Sequence, residues 1–149
     1  MKDADAHGGR VLTAAEIVSI EAQLDLALPM RIVKHLTELP LVGVEFILSP
    51  TGDSSGLGVA LRWMTPDEMV SEALEAYPGR VAVPLGYLPV GICLEGSGDP
   101  YFVRLHDLAL VRVPHEAARG GELEISSVEC VTASLEEFLQ GARRYQADD

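Results

Sequence analysis

The chain has 149 residues, which fits one domain, and its 48% hydrophobic and 23% charged residues make a globular rather than a disordered composition. Eleven Lys and Arg against 23 Asp and Glu leave a formal charge of −12. Such a field repels nucleic acid and anionic membranes and attracts basic partners.

Residues 1–11 read as a flexible N-terminal tail and residues 12–149 as a single domain. The opening MKDADAHGGR lacks an apolar core, so no secretory signal is expected. The longest mostly apolar window, VAVPLGYLPVGICL, is too short to span a bilayer and carries two prolines. Cys93 and Cys130 sit in apolar stretches with no CxxC, so buried, reduced thiols are expected. Together these features predict a cytoplasmic protein with no membrane contact.

In chain order, Thr13 and Glu16 form a capping box at the start of a helix whose Ile17, Ile20, Leu24 and Leu28 recur at helical spacing. Pro29 is placed to open a second, short helix with Ile32, Val33, Leu36 and Leu39 inward, and Pro40 closes it. LVGVEFILS alternates, with Val42, Val44, Phe46 and Leu48 on one face. PTGDSSG is a loop, and VALRWM extends again with Val59, Leu61 and Trp63 on one side. Thr65, Pro66 and Glu68 then start a third helix. Its expected buried face is Met69, Val70, Ala73, Leu74 and Tyr77, with Glu72 and Glu75 toward water. From Val81 the period falls to two, and RVAV, GICL, YFVRL, LALVRV and ISSVECV read as short strands. SLEEFLQGARRY closes the chain as a helix capped by Ser134 and Glu137, with Leu135, Phe138, Leu139, Ala142 and Tyr145 inward and Arg143 and Arg144 in its last turn. The sum is α+β: a mostly antiparallel sheet with helices packed on one face. Trp63 is expected as a core anchor between sheet and helix.

Catalytic and cofactor chemistry finds little support. The glycines of LEGSGDPYFVRL are followed by strand residues rather than a helix, so they do not form a phosphate cradle, and Gly96, Gly98 and Asp99 suit a tight reversal. His106 and His115 flank an extended segment and would stand roughly 30 Å apart with opposite parity, so they share no metal. No set of residues supplies an acid, a base and an electrophile with fixed geometry. The sequence therefore predicts no enzyme, no cofactor and no metal. A hydrolase built on Asp99 with His115 or His106 is the one catalytic alternative.

The ordered segments LTAAEIVSIEAQLDLALP, with Glu21, Leu24, Leu28 and Pro29, then WMTPDEMV, LGYLPVGICLEGSGDPYFVRL and SLEEFL resemble the SUKH superfamily across roughly residues 12–140. Gly91, Gly98, Asp99 and the helix start from Ser134 to Phe138 are its most diagnostic positions. The resemblance implies a curved sheet surrounded by N-terminal, middle and C-terminal helices, with Trp63, Leu24, Leu28, Pro29 and Phe138 as structural core. It also implies a non-catalytic, protein-binding role. Bacterial members are commonly immunity proteins that block a cognate toxin, often a nuclease; fungal Smi/Knr-type members are regulatory interaction proteins. A basic toxin domain is the partner that the charge favours, through Glu95, Gly96, Ser97, Gly98 and Asp99 of the glycine turn together with Asp107, Glu116, Glu122 and Glu124. The alternative is a regulatory or scaffold module with no toxin partner. The sequence leaves the oligomeric state open.

Overall fold

A computed structural model describes residues 9–95 and 97–144. Helix α1 (Ala14–Leu24) starts on the expected box: Thr13 Oγ1 accepts the Glu16 N–H, and the Glu16 carboxylate accepts the Thr13 N–H at 3.0 Å. Asp25 turns into the left-handed region, φ 50, and stops the helix. Leu28 is buried as expected, but from the connection beyond the helix rather than from its face. Pro29 occupies the N-cap of α2 (Met30–Glu38), whose Ile32 and Leu36 are buried. The end of the expected tail is docked: Arg10 bridges Val42, and the Leu12 N–H donates to the Leu36 carbonyl at 2.8 Å. Residues 1–8 lie outside the described residues.

Strands β1 (Glu45–Leu48) and β2 (Val59–Trp63) alternate between buried and half-buried residues, as a two-residue period requires. Helix α3 (Pro66–Glu75) repeats the capping box with Thr65 and Glu68 and has proline in its first turn. Its inward face differs from expectation. Met69 and Ala73 are buried, but Leu74 and Tyr77 are exposed, and Glu72 turns partly inward to accept the Gly79 N–H at 3.0 Å. That contact also explains why RVAV is not a strand. Pro78 caps a single turn of helix, α4 (Gly79–Ala82), a 3₁₀ turn follows over Val83–Leu85, and the Glu72 carboxylate satisfies a free N–H at its start. A tertiary cap here overrides the β preference of the valines.

The remaining elements are β3 (Tyr87–Cys93), β4 (Tyr101–Arg104), β5 (Ala109–Arg112), β6 (Ala118–Arg119), β7 (Glu122–Leu123), β8 (Glu129–Thr132), α5 (Leu135–Gly141) and β9 (Arg143–Arg144). Only the second half of ISSVECV is a strand; Ile125–Ser127 form a 3₁₀ turn. Ser134 caps α5 by accepting the Glu137 N–H. Arg143 and Arg144 do not occupy its last turn: Ala142 is extended, and the two arginines pair with β1 as β9. Tyr145 lies outside the described residues.

Seven strands form one antiparallel sheet in the order β8-β5-β4-β3-β2-β1-β9, curled into a half-barrel, and β6 and β7 make a separate ribbon. Leu24, Leu28, Trp63 and Phe138 lie in the core as expected, and Pro29 is half-buried at its margin. The Phe46 ring stands edge-on to Trp63, with centroids 6.4 Å apart, and to Phe138, at 5.7 Å, which joins β1, β2 and α5. The fold is thus a single α+β domain. Among the described residues, no helix is long and apolar enough to cross a membrane.

Candidate functional site

The glycine-rich stretch joins β3 to β4, adjacent antiparallel strands, and so is a hairpin connection. Gly98 sits at φ 68, where a side chain would be strained. Asp99 is bonded outside its own loop. Its carboxylate reaches across to accept the His115 N–H at 3.1 Å and lies 2.7 Å from His115 Nδ1. Ser97 Oγ accepts the Asp99 N–H at 3.4 Å and lies 3.5 Å from Cys93 Sγ. The expectation of two buried thiols therefore fails: Cys93 is half-buried as the last residue of the central strand β3, beside this loop, and Cys130 is exposed on the edge strand β8.

The loop forms one wall of a concavity of about 350 Å³. Glu95, Ser97 and Asp99 come from the loop, Glu116 from the turn after β5, and Glu129 from β8; Leu57 and Gly58 close the far side. Four acidic residues therefore line one notch together with Tyr101 and Arg112, and two of them are already engaged, Asp99 by His115 and Glu129 by Arg112. Arg112 is buried in spite of its charge. Its Nε donates to the Tyr101 hydroxyl at 3.3 Å, and its Nη1 to Ser55 Oγ at 3.0 Å and Glu129 at 3.1 Å. Its Nη2 donates to Asp53 at 3.3 Å and to the Gly58 carbonyl at 2.9 Å. Burial disfavours the cation, but the bonds to Tyr101 and to the Glu129 and Asp53 carboxylates outweigh it, so the guanidinium pKa is raised. Burial pushes the Tyr101 hydroxyl up as well, which keeps it a neutral donor and acceptor.

Asp53 and Arg112 escaped the sequence reading. Asp53 belongs to the TGDSSG loop, yet its side chain is fully buried, and its Oδ1 accepts both the Ser55 N–H and hydroxyl at 2.7 Å. The available signal was Arg112 itself, a charge inside the apolar LALVRV, which in the structure is buried on both faces. A charge in such a strand requires a carboxylate brought from elsewhere.

The other expected partner residues are not gathered here. Asp107 accepts two bonds from Arg104 and one from the Ala109 N–H in the tight β4–β5 turn, and the Arg104 guanidinium holds its carboxyl below the usual range. Glu122 lines a separate groove with Arg80 and Leu123, and Glu124 is exposed just beyond β7. Gly96 lies outside the described residues, and Gly98 is exposed beside the notch. Among the described residues, no three His, Cys, Asp or Glu side chains are grouped so as to hold a metal ion. Asp99 and His115 do meet, whereas the Cys93 thiol engages Ser97 and Glu95. What the notch offers chemically is a carboxylate rim for a cationic group, with Leu57 as an apolar flank. No family model matches the chain, and no curated protein matches its sequence.

Proposed function

We propose that this protein is a non-catalytic binding domain that neutralises a basic, nuclease-type toxin by occupying its cationic surface. The observation that carries the reading is the meeting of Glu95, Asp99, Glu116 and Glu129 around one notch on a molecule of charge −12. The resemblance to the SUKH superfamily supports the same role. A nuclease presents lysines and arginines to hold phosphates, so an acidic surface competes for that face and speeds encounter.

The test is co-purification with the product of the adjacent gene, followed by affinity at low and high salt. The expected complex forms rapidly and weakens with screening. Glu95→Lys combined with Glu116→Lys is expected to slow association about tenfold or more. A neighbouring protein that is neutral and harmless, with no complex formed, removes the reading.

A regulatory or scaffold role is the second reading. It is favoured by a mostly apolar surface on the outer side of β1 and β2, where Ile47, Ala60 and the exposed Leu94 meet beside Glu45. Binding there would be insensitive to salt and to the double charge reversal.

A further inference from the structure

The loop of residues 49–58 leaves β1 and β2 near one end of the sheet and fastens to β5 and β8 at the other. It therefore crosses the mouth of the half-barrel. Hydrogen bonds and an ion pair fasten it to β5 and β8. Arg112 holds the Asp53 carboxylate, the Ser55 hydroxyl and the Gly58 carbonyl. The Ser54 N–H donates to the Val131 carbonyl at 2.8 Å. Val131 is the residue skipped by the β5–β8 register, so an irregularity in β8 supplies the acceptor. Within the loop only Asp53 is buried, and Leu57 is 64% exposed. Opening the loop would thus cost hydrogen bonds and an ion pair but little apolar burial, the profile of a segment that opens locally without unfolding the core.

We propose that residues 49–58 form a strap that opens as one unit across the notch, with Arg112 as its bolt. Closed, it seals the far wall through Leu57 and Gly58 and keeps every N–H of Arg112 occupied. Open, it widens the notch and frees the donors that Asp53, Ser55 and Gly58 now engage. Gly58, at φ 83 beside β2, is the hinge on that side. The device is independent of which partner the protein binds.

Amide hydrogen exchange on the full chain tests it, comparing the wild type with Asp53→Asn and Ser55→Ala. In the wild type the Ser54 and Ser55 amides, bonded to the Val131 carbonyl and the Asp53 carboxylate, are expected to exchange together and more slowly than the amide of the exposed Thr51. Asp53→Asn should speed exchange in 49–58 about a hundredfold, because a buried charge loses its partner. Peptides from α1 and β3 should keep their wild-type rates. Ser55→Ala should give the same pattern at about tenfold, and it carries the test if Asp53→Asn does not fold. Wild-type Ser54 and Ser55 exchanging at the rate of Thr51, or acceleration spread evenly over α1, β3 and the loop, overturns the strap.

Discussion

At the scale of single residues, Arg112 and Asp53 show how a buried charge pair organises chain that is otherwise irregular. Neither tolerates the loss of the other, because the Asp53 side chain is wholly out of solvent. Arg112→Ala is expected to lower unfolding free energy by about 3–5 kcal/mol in urea titration, with Arg112→Lys recovering little, since a lysine cannot serve Tyr101, Ser55, Glu129, Asp53 and Gly58 together. A stability loss under about 1 kcal/mol would mean that the pair is solvated in solution. Gly79 makes a steric rather than an electrostatic demand. A Cβ there would run into the Glu72 backbone carbonyl, so Gly79→Ala should cost about 1–3 kcal/mol by the same titration.

At the scale of elements, the first two capping boxes were the most legible part of the sequence, because their donors and acceptors lie within four residues of one another; at Ser134 only the hydroxyl half of the expected box forms. Both box glutamates carry a second partner that spacing could not reveal: Glu16 binds Arg10, and Glu68 binds Arg62 of β2. Thr65→Ala should cost about 1 kcal/mol in thermal or chemical melts. The Arg10 guanidinium and the Thr13 N–H hold the Glu16 carboxyl at about 2, below its ordinary 4.5. A carboxylate depressed in this way stabilises the fold above its unfolded value, and the contribution fades as pH falls from 4.5 toward 2. Glu16→Gln should therefore melt below the wild type at pH 6 and converge with it near pH 2; parallel curves would show that the pair contributes nothing. Glu72 has the opposite sense, its carboxyl pushed up by burial. Elements were misread where a distant group set them. RVAV turned helical under the Glu72 cap, and the two arginines after α5 were drawn into the sheet by β1.

At the scale of the whole molecule, α+β architecture and an antiparallel sheet followed from periodicity, but the strand order did not, because pairing such as β1 with β9 joins residues far apart in the chain. The notch was half legible for the same reason. The glycine turn announced Glu95, Ser97 and Asp99, whereas Glu129 and Arg112 required β8 and β5 to be placed beside it. The attachment of β9 to β1 bears on how the polypeptide is produced. As it emerges from the ribosome, β1 must wait until residues 143 and 144 are made before its outer edge is covered. Until then it is a ready template for neighbouring nascent chains. A version ending at Gly141 would stay in that condition permanently, and light scattering should find it clustering at concentrations where the intact protein remains dispersed.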